Sequence, residues 1–272
     1  MPNRFRDTSL GWRWVLLAPL AGLVHLGAAQ SARAMPDAPE GACRVERVVG
    51  ERYTICSFDP REVRLSVRHR TFEGDHYRRL ANLTDTRPDA VFAMNGGMYH
   101  DDLDPVGLYV EDGAEVAPLQ RKRSWGNFGL LPNGVFWVDE EGRAGVSETL
   151  RFDRERRRVR FATQSGPMLV VEGKLHPKFR RTSDSYKIRN GVGVSRDGRV
   201  HFALSHGAVN FWTFATLFRD HLKTENALFL DGTVSAVRAK GFSRGGFWAE
   251  LGPIIVVERR VVAVPQLDAP RP

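Results

Sequence analysis

The sequence predicts an α+β fold: a single domain with a largely antiparallel mixed sheet and a few packed helices. Three observations predict it. Apolar and polar residues alternate over several short segments, turn dipeptides separate those segments, and only two stretches show helical spacing. In chain order, "EVRLSVR" (62–68) and "LYVEDGAEV" (108–116) alternate as half-buried strands do. "LLPNGVFWV" (130–138) and "GVGVSRDGRVHFALS" (191–205) each carry Asn-Gly or Asp-Gly at their middle, which reads as a hairpin turn. The clearest helix is "NFWTFATLFRDHL": Asn210 can cap it, and Phe211, Phe214, Phe218 and Leu222 fall on one face. A weaker helix is expected over 76–83. No composition break follows residue 43 and no repeat has a fixed period, so one domain over 43–265 is the simplest organisation.

The chain has 272 residues, 42% of them hydrophobic, enough for a substantial core. Its formal charge is +8, but four arginines against one aspartate in the first 34 residues carry +3 of that. Those residues read as a signal peptide (1–34): an arginine-bearing start, an apolar run from Trp14 to Ala29, then Ala32-Arg33-Ala34, a small-x-small cleavage form. An uncleaved anchor is the alternative, although the run is shorter than the roughly 20 residues that span a bilayer. Residues 35–42, rich in Ala and Pro, read as a linker. The expectation is therefore an exported protein, periplasmic or extracellular, with no stable membrane insertion once the signal is cleaved. Nucleic acid is not an expected partner: the remaining charge is dispersed, and the dense run "RFDRERRRVR" (151–160) lacks interleaved aromatics that would stack on bases. That run reads as a solvated segment leading into a strand, "RVRFATQ".

Cys43 and Cys56 flank a hairpin-like stretch centred on Gly50-Glu51, and export makes a disulfide plausible. Two unpaired buried thiols remain the alternative, because a one-residue slip in register separates the sulfurs.

Several strand-like runs end in glycine beside a polar residue: Asn95-Gly96-Gly97, Gln164-Ser165-Gly166, Arg189-Asn190-Gly191 and Asp231-Gly232. Each alone is an ordinary turn signal. In "FAMNGG" and "LFLDG", however, the polar group follows an unbroken apolar run. A carboxylate held near an apolar layer must be hydrogen-bonded, paired or neutralised. Glycine lets backbone approach a ligand closely, so the four breaks can converge on one cleft.

In that order Asn95-Gly96-Gly97-Met98-Tyr99, Ser165-Gly166-Pro167-Met168-Leu169-Val170, Arg189-Asn190-Gly191-Val192-Gly193 and Leu230-Asp231-Gly232 resemble the phosphodiester glycosidase family, over roughly residues 88–257. The resemblance implies an enzyme that releases a sugar from a phosphodiester, with Asn95, Gly96, Gly97, Arg189 and Asp231 as site positions and Ser165 beside them. The chain departs from many members after the aspartate, reading Thr233-Val234-Ser235 where glycines and serines are common, so substrate choice does not carry over.

The leaving group would be a phosphate, so charge stabilisation matters more than general-acid help. Arg189 can grip phosphate oxygens in bidentate fashion, aided by Lys187 and by backbone N–H groups around Gly96-Gly97. Asp231 can act at the anomeric centre, and Asn95 can orient a sugar hydroxyl or the carboxylate. Tyr99, Asn190, Gly232 and His206 complete the expected substrate-binding set. A structural salt bridge to Asp231 is the other reading of Arg189, and a purely structural role that of His206.

His100, Asp101, Asp102 and Asp104 invite a metal, but the loop lacks calcium-loop spacing, so no cofactor is expected and a divalent cation remains possible. Among Tyr99, Tyr109, Trp125 and Trp212, Trp125 lies in polar surroundings and is the best sugar-stacking candidate. The expected partner is a sugar phosphate or glycan. Competing functions are a non-catalytic envelope glycan-binding protein and a phosphodiesterase that breaks P–O. The sequence leaves sugar identity and oligomeric state open.

Overall fold

Alternation and turns sort the strands into three sheets rather than one. The computed structural model describes residues 35–260 apart from 123, 233, 247 and 248, so the signal-peptide reading and residues 261–265 of the expected domain lie outside the described residues. The chain begins with β1 (Cys43–Val48), β2 (Glu51–Phe58), β3 (Val63–Arg68), the short helix α1 (Leu80–Asp85) and β4 (Ala90–Asn95). Next come β5 (Tyr109–Glu111), β6 (Ala114–Ala117), β7 (Gly134–Asp139), β8 (Ala144–Glu148), α2 (Thr149–Glu155) and β9 (Val159–Ser165). β10 (Met168–Val171), β11 (Lys174–Leu175), β12 (Asn190–Ser195) and β13 (Val200–Ser205) lead to α3 (Phe211–Thr216). The chain closes with β14 (Thr224–Asp231), β15 (Val237–Ala239), β16 (Phe242–Arg244) and β17 (Ile254–Arg259).

The strand orders are β1-β2-β13-β12-β14-β10-β11, β16-β15-β4-β17-β3 and β6-β5-β9-β7-β8, and the paired strands run antiparallel throughout. With few helices, this is the α+β class expected. The three sheets share one core. Phe58 and Phe202 from the first sheet, Phe92 from the second and Phe136 from the third pack together, with Phe92 stacked on Phe202 at 4.9 Å between centroids. All four are buried, and each contributes about 2–3 kcal/mol of apolar burial.

One expected turn forms where the sequence puts it, one is shifted by a residue and one does not form. Asp197-Gly198 closes the β12–β13 hairpin, with Gly198 at φ +85°. The β1–β2 turn is Val49-Gly50, one residue earlier than expected. It sets Cys43 directly opposite Cys56, and the two are joined by a disulfide. Asn133-Gly134 is no hairpin turn. Asn133 is buried, donating to the Phe128 carbonyl and accepting from Thr149 Oγ1, and Gly134 opens β7 where a Cβ would lie 2.8 Å from the Ser147 carbonyl oxygen. The glycine there serves close approach rather than a positive φ.

In α3, Asn210 Oδ1 accepts the Thr213 N–H, and Phe211, Phe214, Phe218 and Leu222 are buried as their spacing predicts. Past Thr216 the helix widens into a π-helical turn over Leu217–His221. α1 begins at Leu80 rather than at residue 76, because His76 is held in a bridge to Arg70 and Arg78 sits at φ +61°, bridged to Leu251. α2 was not expected. Only Thr149 and Phe152 of it are buried, too little apolar periodicity to read, while Glu148 caps it by accepting the Arg151 N–H. Its arginine-rich face is exposed and paired with acids, as a solvated run should be.

Residues 35–42 are not a free linker. Met35 is buried against Leu80, Leu83 and Leu251, Ala42 enters the main core, and Asp37 pairs with Lys240. Among the described residues no helix is long and apolar enough to cross a membrane.

Two stability predictions follow from these elements. The disulfide closes a loop of separation 13, so the Cys43→Ser/Cys56→Ser variant should lose about 3 kcal/mol in denaturant unfolding. His201 on β13 is held between Ser57 Oγ (2.8 Å) and Ser195 Oγ (3.0 Å), and burial pushes its pKa down from 6.5 to about 4. The folded state therefore keeps it neutral while the unfolded chain takes a proton. Its contribution is present above pH 6.5 and is lost as pH falls towards 4. The melting temperature of His201→Asn should fall less steeply across that window, and an identical slope would remove His201 as the cause.

Candidate active site

The four polar strand ends do converge, and asparagines join them. β12 opens with Asn190 opposite Asp231 at the end of β14. Asn190 Oδ1 accepts the Asp231 N–H at 2.9 Å, while its Nδ2 donates to Asn95 Oδ1 at 2.7 Å. Asn95, the last residue of β4 in the neighbouring sheet, also takes the Ala236 N–H on Oδ1 at 2.8 Å. Both asparagines are buried, and among the described residues Asn95 Nδ2 has no hydrogen-bond partner. From the other side, Ser165 Oγ donates to the Leu230 carbonyl, one residue before Asp231. Three sheets thus meet at one partly buried carboxylate, whose Oδ1 also takes the Gly232 N–H.

Arg189 precedes Asn190 and is wholly buried, 0% exposed. Its Nε donates to the Val209 carbonyl and Nη2 to the Ser185 carbonyl, while Nη1 has no partner. Its guanidinium carbon lies 3.6 Å from the Phe211 ring centroid. Burial lowers its pKa to about 10, so it stays charged at neutral pH. Among the described residues it forms no salt bridge, which removes the expected alternative of a bridge to Asp231. The bidentate grip on phosphate is also corrected: two of the three guanidinium nitrogens are already committed to backbone carbonyls, leaving Nη1 alone.

The glycine pair needs a second correction. Gly96 N–H donates to the Pro253 carbonyl and Gly97 N–H to Thr163 Oγ1, so neither amide points at a ligand. A Cβ on Gly97 would stand 2.5 Å from both the Gln164 carbonyl oxygen and Thr163 Oγ1. Close packing of β4 against β9 explains that glycine.

Tyr99 lies near Asp231. Burial first, then the Asp231 carboxylate, raises its pKa, and its hydroxyl donates to the Glu250 carbonyl at 2.8 Å. Gly232 packs over Phe229 and the Ile188 backbone, beside exposed Lys187. His206 sits apart on the β13–α3 connection, its Nε2 2.8 Å from Thr54 Oγ1. Burial and the nearby Arg244 and Arg52 lower its pKa. Tyr109 is core, Trp212 is half-buried with Arg181 over its ring, and Trp125 is 96% exposed beside a surface hollow of about 490 Å³.

The acidic loop divides. His100, Asp101 and Asp102 are exposed, whereas Asp104 turns towards His69 and His76. Sequence reading missed these histidines, whose seven-residue spacing matches no ligand motif. It also missed Ser205, whose Oγ accepts the Arg189 N–H, and Thr163 beneath Gly97. Asn190→Leu should cost about 3 kcal/mol, because it strands the buried Asp231 N–H and one acceptor position on Asn95. A denaturation midpoint equal to wild type would show that the asparagine bridge holds nothing.

Comparison with known proteins identifies the family and the fold. Residues 88–261 match the model of the phosphodiester glycosidase family. The uncharacterized protein YigE of Escherichia coli (strain K12) is 40% identical over 149 residues, 55% of this chain and 58% of that relative, so the match spans little more than half its length. The catalytic domain of zebrafish N-acetylglucosamine-1-phosphodiester alpha-N-acetylglucosaminidase, auto-inhibited by its pro-peptide, superposes with a TM-score of 0.54 at 14% identity, covering 84% of this chain and 87% of that one. The protein named "Putative exported protein" from Burkholderia pseudomallei K96243 superposes with a TM-score of 0.50 at 11% identity, covering 76% of this chain and 74% of that one. At these identities the two structures attest the fold.

Proposed function

The chain belongs to the phosphodiester glycosidase family, and on that premise we propose that it is an exported hydrolase that cleaves the glycosidic C–O bond of a sugar-1-phosphodiester. The observation that carries this reading is the buried Arg189, which has an unpartnered Nη1 and no ion pair among the described residues, next in sequence to the asparagine that anchors Asp231. A buried cation without a counter-ion costs several kcal/mol. A phosphodiester monoanion arriving nearby offsets that cost.

Asp231 is the group we assign to the anomeric carbon. Positive charge develops there as the phosphate departs, and a carboxylate held at a strand end stabilises it as nucleophile or by activating water. The phosphate is a weak base and leaves without strong protonation. Arg189 supplies positive potential from behind Asn190, and Lys187, exposed two residues before it, is the cation we assign to the departing phosphate. Tyr99, kept protonated by burial and by Asp231, spends its hydroxyl proton on the Glu250 carbonyl and adds no charge beside the carboxylate. Asn95 Nδ2 is a buried donor available to orient a ligand or water. Export is supported by the disulfide, and we assign the mature protein to the periplasm or the extracellular space.

The test is a product assay of the protein on a panel of sugar-1-phosphodiesters in isotopically labelled water. Label should enter the sugar; label in the phosphate would reassign the enzyme to P–O cleavage. Asp231→Asn should lower turnover on the order of 10³-fold while unfolding as wild type does. Glycan binding without turnover on any member of the panel would make the protein a binding module instead.

A further inference from the structure

We propose that His69, His76 and Asp104 form a binding site for one divalent transition metal ion of the zinc type, tying the loop that carries Tyr99 to the end of β3. The inference rests on geometry alone and is independent of the glycosidase reading.

Three separate segments supply the ligands. His69 directly follows β3, and the Arg70–His76 bridge folds the next residues back so that the two imidazoles meet edge to face, centroids 4.6 Å apart. Asp104 comes from the turn that continues the strand end at Asn95. One donor atom from each residue lies within 4.8 Å of the others. His69 Nε2 is 3.4 Å and His76 Nε2 3.8 Å from Asp104 Oδ1. A tetrahedral ion with bonds near 2.0–2.1 Å spaces its ligand atoms at about 3.4 Å, so small rotamer shifts close the site. The Leu103 carbonyl oxygen, 3.1 Å from His69 Nε2, is a fourth donor within reach.

His69 is 2% and His76 10% exposed, so both imidazoles are shielded from solvent, and the His69 Nε2 that donates to the Leu103 carbonyl gives up its proton when it takes the ion. The Arg70 bridge places the His76 backbone, and the ring is left with a nitrogen to spare. Its Nδ1 is buried with no hydrogen-bond partner, and its Nε2 stands beyond hydrogen-bond range of the carboxylate. Asp104 is 48% exposed, which opens a path for the ion. Two imidazoles and one carboxylate suit zinc, cobalt or nickel better than calcium or magnesium, which take oxygen ligands.

One group opposes the ion: Arg70 Nη2 lies 2.8 Å from the same Asp104 oxygen. That side chain is 43% exposed and also donates to the Gly74 carbonyl at 2.8 Å, so it serves as the counter-charge when no metal is bound and turns outward when one is. Competition between the two cations gives the sharpest test.

The full chain, stripped by chelation, should bind one equivalent of Zn²⁺ by calorimetry and give the visible spectrum of tetrahedral Co²⁺. His76→Gln and Asp104→Asn should each weaken binding roughly tenfold or more. Asp101→Asn should leave it unchanged, and Arg70→Ala should tighten it severalfold. Circular dichroism and melting curves check that each variant folds. Absence of zinc uptake by the wild type, or uptake undiminished in both Asp104→Asn and His76→Gln, overturns the proposal.

Discussion

The hydrogen bond from Asn190 Nδ2 to Asn95 Oδ1, 2.7 Å long and buried, joins two sheets at the one place where their strand ends must be polar. Asp231 sits on the other side of Asn190 and Ala236 on the other side of Asn95. The same pair of amides therefore fixes both the seam of the fold and the position of the carboxylate. An amide suits this task because it donates and accepts at once. A carboxylate in its place would bring a second negative charge close to Asp231, and an apolar side chain would leave backbone N–H groups unsatisfied.

A second constraint lies beneath this seam. His176 stacks on Phe179, Phe179 on Phe211, and Phe211 carries the Arg189 guanidinium on its other neighbour contact. The column gives a buried cation aromatic faces to rest against where no carboxylate is provided. Phe211 opens α3, and Asn210, which caps that helix, also donates to the carbonyls of Arg181 and Ser183. The helix start, the exposed segment over residues 177–188 and the cation are thus held together. Charge at the site is governed from below by an aromatic stack rather than by an ion pair.

The loop after Asn95 links the seam to the far side of the second sheet. Tyr99 leans on Gly252 and reaches the Glu250 carbonyl, while Leu103 and Asp104 reach back to His69. Order in this loop therefore sets where the tyrosine stands relative to Asp231. Ligand atoms that tether the loop at its far end act on the site by position alone.

The sequence by itself determined the class of fold, the helix capped by Asn210 and the polar strand ends Asn95 and Asp231. Each is written in local pattern: alternation, a cap with a spaced apolar face, or a polar residue ending an apolar run. Asn133-Gly134 shows the limit of such patterns, since the same dipeptide serves a turn or a crowded crossing, and only the strand facing it decides which. Arg189 shows it too. Nothing local says whether a guanidinium will meet a carboxylate, a phosphate or two carbonyls and a phenyl ring. Tertiary structure alone decided that Gly96 and Gly97 spend their amides on Pro253 and Thr163, and that Asp104 faces two histidines some thirty residues before it. Those outcomes depend on which distant segments share a donor, an acceptor or a cavity, and chain order does not encode spatial neighbours until the sheets have packed.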